Sequence, residues 1–121
     1  MSVVNCVKHI FEPNPLACGQ AVLAMLTGVN VNKIIELCGT EKETDLKCMK
    51  RILSNFNIKF NEQRVAVTKK EELPKIALLS LETPICWHWS LYFNGLFYDP
   101  QYGILDDFPP SNRRYYWQIY N

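Results

Sequence analysis

The sequence predicts an α+β fold, in which N-terminal helices pack on a C-terminal antiparallel sheet. Between residues 15 and 56, apolar residues recur at helical spacing. Beyond that region the pattern becomes extended, and the aromatic-rich segments on both sides of Asn94-Gly95 are the clearest hairpin signal in the chain. A length of 121 residues fits a single domain spanning residues 1–121.

Three helices are predicted in the first half of the chain. Asn14 is expected to cap the first helix, with Pro15 at the first helical position, where no backbone donor is needed. Gly28 and Gly39 are expected to end the first and second helices in the left-handed conformation. Thr44 is expected to cap the third helix.

Strands are predicted at residues 65–67 and 76–81, on both sides of the hairpin turn, and in the tail at 115–120. A two-residue turn pairs Leu91 with Tyr98 and Ser90 with Asp99. Residues two apart on a strand share a face, so His88 and Asp99 should be diagonal neighbours, with Cα atoms roughly 7–8 Å apart.

Cys18 is the candidate nucleophile. It falls in the first turn of the first predicted helix, where unpaired amides and the helix dipole stabilise a thiolate. Considered alone, each of the three residues has an ordinary structural explanation. Cys18 would be a cysteine packed in the core, His88 a half-buried strand histidine, and Asp99 the first residue of an Asp-Pro turn. Together they provide a nucleophile, a base and a residue that orients the base.

The order cysteine, histidine, aspartate, with a helix before a sheet, resembles the papain-like cysteine peptidases. More closely, the chain is similar to the bacteriocin-leader-processing (double-glycine) peptidase family and its small bacterial and phage relatives. The similarity covers roughly residues 12–103. It is carried by the segments Cys18-Gly19-Gln20-Ala21, Ala24-Met25-Leu26, Gly28, Gly39, Thr44-Asp45-Leu46, His88-Trp89-Ser90-Leu91, Tyr98-Asp99-Pro100 and Gly103.

The resemblance implies a papain-like fold and a thiolate–imidazolium pair that attacks an acyl carbon. Cys18 would be the nucleophile, His88 the general acid and base, and Asp99 the residue that fixes the imidazole tautomer. The backbone amide of Cys18 would be one donor to the oxyanion.

Glu12 departs from the family pattern. The family has a glutamine six residues before its cysteine as the side-chain oxyanion donor, and this chain has Glu12 there. A carboxylate cannot donate a hydrogen bond, so Glu12 could serve only when protonated. Asn14 or Gln20 could stand in for it.

These observations predict a cysteine hydrolase, a peptidase or isopeptidase, that cleaves an amide bond of a protein or peptide substrate through an acyl-enzyme on Cys18. Two alternatives stay open. An acyltransferase or transglutaminase-like enzyme would use the same triad with an amine in place of water. A catalytically degenerate binding module would keep the fold and lose the turnover.

The charge composition indicates which classes of binding partner are not expected. The formal net charge is +1 with no basic block, so neither a nucleic acid nor a membrane is expected as a partner.

The sequence shows no signal peptide, and its five cysteines form no CxxC pair, which favours reduced thiols in a cytoplasmic protein. Cys38 and Cys48 are expected in the core. With only two histidines, no metal site is expected, and no motif calls for a cofactor. Oligomeric state is left open.

Overall fold

The computed structural model of the protein describes Val4 and residues 6–120, so the predicted domain limits at residues 1 and 121 lie outside it. Within this part the chain forms three α-helices and then a six-stranded antiparallel sheet with one short 3-10 helix, Lys70–Glu72, between its first two strands, which confirms the α+β prediction. The helices are α1 (Cys18–Thr27), α2 (Val31–Cys38) and α3 (Leu46–Asn55). The strands are β1 (Val65–Ala66), β2 (Ile76–Glu82), β3 (Trp87–Phe93), β4 (Leu96–Asp99), β5 (Gly103–Leu105) and β6 (Arg114–Gln118).

The sheet has the strand order β1-β6-β2-β3-β4-β5. Strands β3 and β4 form the predicted hairpin, in which Phe93 pairs with Leu96 and Leu91 with Tyr98. The predicted tail strand is confirmed as β6, which pairs with both β1 and β2. The hairpin register was predictable because a two-residue turn fixes which residues face each other.

Apolar residues cover both faces of the central strands. Ile76 and Leu78 of β2 belong to the main core with the three helices, whereas Ala77, Leu79 and Leu81 belong to a second cluster. The second cluster also contains Tyr92 and Phe97 and is flanked by partly buried residues of the segments around positions 73 and 105–108. Burial on both faces accounts for the nearly continuous apolar run of β2.

The prediction that Asn14 caps the first helix is wrong. Helix α1 begins at Cys18, its N-cap residue is Ala17, and no side chain caps it. Asn14 instead accepts a hydrogen bond from the Leu16 amide through Oδ1 at 2.9 Å, forming a turn before the helix. Asparagine readily makes such local bonds, which compete with helix formation. As a result, Cys18, and not Pro15 as predicted, is the first residue of α1.

The predicted cap of the third helix is displaced by one residue. Asp45, not Thr44, caps α3, and its Oδ1 accepts from the Cys48 amide at 2.9 Å. The Thr44 hydroxyl donates instead to Met49 Sδ at 3.3 Å. The two predicted helix ends are confirmed, since Gly28 and Gly39 have φ values of 73° and 75°.

Gly19 allows α1 to approach the segment before α3 closely. A Cβ atom at this position would collide with Thr44 Oγ1 and lie 3.1 Å from both Met49 Sδ and Trp89 Cδ1. We expect Gly19→Ala to lower the free energy of unfolding by about 1–3 kcal/mol, because overpacking outweighs the helix propensity of alanine. Urea denaturation measures the change.

Thr44→Ala removes the closest obstacle and provides the matched control. In the Gly19→Ala background this second change is expected to restore part of the lost stability, so the two substitutions are not additive. A Gly19→Ala variant as stable as the wild type would contradict the steric explanation.

Candidate active site

His88 and Asp99 form a buried pair on the adjacent strands β3 and β4. The Nε2 atom of His88 lies 3.1 Å from Asp99 Oδ1 and 3.0 Å from Oδ2. Only 6% of His88 is exposed, and none of Asp99. The predicted diagonal contact therefore exists, and Nδ1 is the ring nitrogen that remains for another partner.

The Asp99 carboxylate is held by several donors besides His88. The Ser90 hydroxyl donates to Oδ2 at 2.8 Å, and the amides of Gln101 and Tyr102 donate to Oδ1 at 2.8 and 3.0 Å. Burial favours the neutral acid, but the hydrogen bond and charge of His88, together with the Ser90 and Tyr102 bonds, hold the pKa of Asp99 below its usual value. Asp99 is therefore a fixed, ionised partner for the imidazole.

The surroundings of His88 favour its charged form. Burial acts to lower the pKa of His88, but hydrogen bonds and charge interactions with Asp99 and Cys18 outweigh it and raise the pKa to about 10. The imidazole thus lies between a carboxylate and the Cys18 thiol, as an imidazolium over the neutral pH range.

Cys18 meets β3 at the start of α1. Its sulfur accepts a hydrogen bond from the Trp89 backbone amide at 3.4 Å. The residue is 8% exposed. It opens onto a cavity of about 130 Å³ lined by Cys18, Glu43, Thr44, Ser80, Trp87, His88 and Trp89. No side chain caps α1, and the first amides of a helix have no partner within the helix.

Two tryptophans and the segment before α3 form the walls of this cavity. Trp89 is packed against Trp117, with ring centroids 5.8 Å apart, and its Nε1 donates to the Thr44 carbonyl at 3.1 Å. Trp87 is 46% exposed at the rim. The hydrogen bond from the Trp89 indole therefore fixes the position of Thr44, which forms one wall, relative to β3.

Glu12 lies beside the His88–Asp99 pair. Its backbone amide donates to the Pro100 carbonyl at 2.9 Å, and its Oε1 is buried without a hydrogen-bond partner. Burial raises the pKa of Glu12, the positive charge of His88 opposes this effect, and the charge of Asp99 adds to it. The carboxyl group is therefore protonated more readily than an exposed glutamate.

Asn14 and Gln20 hold a neighbouring loop. The Gln20 amide nitrogen donates to the carbonyls of Thr40 and Lys42 at 2.9 and 2.7 Å, and that of Asn14 donates to the Glu41 carbonyl at 3.0 Å. Both hydrogens of the Gln20 amide are thus used, and its side chain is fully buried. These bonds argue against either residue as the stand-in oxyanion donor.

Two contributors to this site were missed by sequence reasoning. His9 Nε2 lies 2.7 Å from the Asp99 carbonyl oxygen, to which it donates. No local pattern could reveal this contact, because the two residues are 90 positions apart. Ser90 could have been found, since the hairpin register places it opposite Asp99.

Comparisons with known proteins do not assign the chain to a family, since no family model matches it and no curated protein matches it significantly. Across Val4 and residues 6–120, no three histidine, cysteine or acidic side chains cluster as metal ligands. No individual helix in this range has the length and hydropathy of a membrane span. Helices α1 and α2 meet these criteria only as a pair, bent by 117°.

Proposed function

We propose that the protein is a cysteine hydrolase, a peptidase or isopeptidase, of the papain-like class, similar to the double-glycine leader peptidases. The observation that carries the proposal is the single constellation of Cys18 at the start of a helix, His88 beside it, and Asp99 bonded to the far side of the imidazole. A nucleophile, a base and an orienting carboxylate that contact one another in this order are the groups that acyl transfer requires.

In the proposed reaction, the Cys18 thiolate attacks the carbonyl carbon of an amide bond. The backbone amide of Cys18 donates to the oxygen as it becomes negative. His88 then gives its proton to the leaving amine, and the C–N bond breaks to leave a thioester on Cys18. Water, deprotonated by His88, hydrolyses the thioester and releases the acid. Asp99 keeps the imidazole oriented throughout.

The cavity size limits the substrate. A volume of about 130 Å³ is well below the range of roughly 300–1,000 Å³ that is common for small-molecule sites. It fits an extended peptide backbone with a small side chain beside the scissile bond. The proposed substrate is therefore a protein or peptide segment without bulky residues at that position.

Alkylation by iodoacetamide tests whether Cys18 is activated. At pH 6, we expect Cys18 to react at least about tenfold faster than Cys86, because the imidazolium of His88 stabilises a thiolate beside it. Cys86 is exposed and serves as the reference thiol within the same molecule. Mass spectrometry of the peptides gives both rates.

His88→Ala is the matched variant for this measurement. It is expected to reduce the rate at Cys18 to that of Cys86 or below, while the rate at Cys86 stays the same. If Cys18 reacts no faster than Cys86 in the wild type, and His88→Ala changes nothing, the activated nucleophile is excluded.

A binding module without turnover is the second candidate, and Glu12 is the observation that favours it. A negative carboxylate near the reacting carbonyl would repel the oxyanion. Because burial raises the pKa of Glu12, the acid is neutral, and able to donate, over a wider range of acidic pH. The hydrolase proposal therefore predicts that Glu12 limits the rate mainly at higher pH.

Glu12→Gln tests the two candidates with p-nitrophenyl acetate, an activated ester that acylates Cys18. At pH 8 we expect acylation to be at least about tenfold faster in the variant, and the difference to shrink as the pH falls and Glu12 becomes neutral. Glu71→Gln, at an exposed residue remote from the site, is the control. Absence of acylation in both the wild type and Glu12→Gln would favour the binding module.

A further inference from the structure

We propose that Cys38 and Cys48 form a reversible disulfide that joins the end of α2 to the first turn of α3. Cys38 is the last residue of α2, and Cys48 is the third residue of α3. Neither takes part in the proposed hydrolysis. Both were expected in the core, but the structure leaves both half-buried at a surface where the two helices meet.

The two thiols are neighbours, since Cys38 and Cys48 line the same cavity. Burial, followed by the hydrogen bond with the Cys48 thiol, raises the pKa of Cys38 to about 12. Arg51 holds the pair from the other side, with Nη2 3.6 Å from Cys48 Sγ and 3.3 Å from the Leu37 carbonyl oxygen of α2. The guanidinium thus bridges the two helices.

Oxidants can reach both thiols. Cys38 and Cys48 line the same open cavity of about 510 Å³, together with Thr40, Glu43, Thr44 and Asp45. Cys6 and Cys86 are exposed and do not belong to the residues that line this cavity. Among the cysteines of the described residues, the geometry therefore favours Cys38 and Cys48 as the pair that reacts with each other.

A low-molecular-weight disulfide such as glutathione disulfide supplies the oxidation. The Cys48 thiolate attacks one sulfur of the reagent, forms a mixed disulfide and releases one glutathione thiolate. Cys38 then loses its proton to solvent and attacks the Cys48 sulfur, which releases the second glutathione. Two protein thiols are oxidised to one disulfide, and one glutathione disulfide is reduced to two thiols.

The bond would restrain the segment between the two helices, which includes one wall of the Cys18 cavity. Glu43 and Thr44 of this segment line that cavity, and Gln20 holds its Thr40 and Lys42 carbonyls. Oxidation of the pair would thus fix the ends of a loop whose middle is already anchored on α1. The disulfide itself does not depend on the proposed hydrolysis.

Peptide mapping tests the proposal. The Cys18→Ser variant, which removes the candidate nucleophile, is treated with glutathione disulfide and digested with trypsin without reduction. We expect the peptide 34–42 to be linked to the peptide 48–50, and Cys86 to carry glutathione. In the added Cys38→Ser variant, Cys48 should keep glutathione, because the second exchange has no attacking thiol.

The thermal midpoint provides a second measurement. Because a disulfide between neighbouring helices constrains the unfolded chain, the oxidised protein should unfold on the order of 10 °C higher than the reduced protein. Glutathione on Cys38 and Cys48 separately, or free thiols at both while Cys86 is modified, would overturn the proposal. A linked peptide with an unchanged or lower midpoint would overturn the claim that the sulfurs are already positioned to bond.

Discussion

Asp99→Asn is expected to lower the free energy of unfolding at pH 6 by about 3–5 kcal/mol, the cost of breaking a buried charge pair by removing one partner. The Asp99 carboxylate is fully buried and accepts hydrogen bonds from His88, Ser90 and two backbone amides. Asparagine keeps the size and one acceptor oxygen, but it leaves the imidazolium without its counter-charge. Urea denaturation followed by circular dichroism measures the change.

Asp106→Asn is the matched control, because the same chemical change is made at an exposed aspartate. It is expected to alter the free energy of unfolding by less than about 0.5 kcal/mol. Equal effects of the two substitutions would show that the charge of Asp99 contributes nothing specific to the fold.

Raising the pH from 6 to 10 is expected to remove a stabilising contribution of His88. Its pKa in the folded protein, about 10, lies above the unfolded value near 6.5, so the contribution is fully present below pH 6.5 and is lost as the pH rises towards 10. At about 1.4 kcal/mol for each pKa unit, the loss is on the order of 4 kcal/mol. Asp99 has the opposite pH dependence. Because its pKa is lowered in the folded protein, its contribution to the free energy of unfolding is lost as the pH falls.

The difference between the wild type and His88→Gln isolates this contribution from other groups that titrate. The two curves of unfolding free energy against pH should lie furthest apart between about pH 4 and 6.5, and should converge towards pH 10. Curves that stay parallel over this range would contradict the raised pKa of His88.

Local patterns predicted the hairpin and the contact between His88 and Asp99 because a short turn fixes the positions of its own neighbours. His88 and Asp99 are only 11 positions apart, and the Asn94-Gly95 turn determines their register. The helix ends at Gly28 and Gly39 were also predictable, since each depends on a single left-handed residue. Local interactions along the chain thus determine the half of the candidate site that contains His88 and Asp99.

The other half depends on contacts between remote segments, for which the sequence carries no local signal. The bond from the Glu12 amide to the Pro100 carbonyl and the bond from His9 to Asp99 both join the N-terminal segment to the hairpin. The caps of α1 and α3 were misassigned because Asn14 and Thr44 make other bonds that suit their side chains equally well. Competition from other hydrogen bonds close by in the sequence, rather than helix propensity, decided both positions.

The placement of Cys18 on α1 and of His88 on β3 has a consequence for how the chain folds. The sulfur accepts a hydrogen bond from an amide 71 residues further along the chain, and no short-range contact joins the two. Contacts of such long sequence separation form only after a large loop has closed. A half-folded chain therefore lacks the contact between Cys18 and β3, and this contact forms when the helical half docks on the sheet. Chemical reactivity at Cys18 would report the final step of folding.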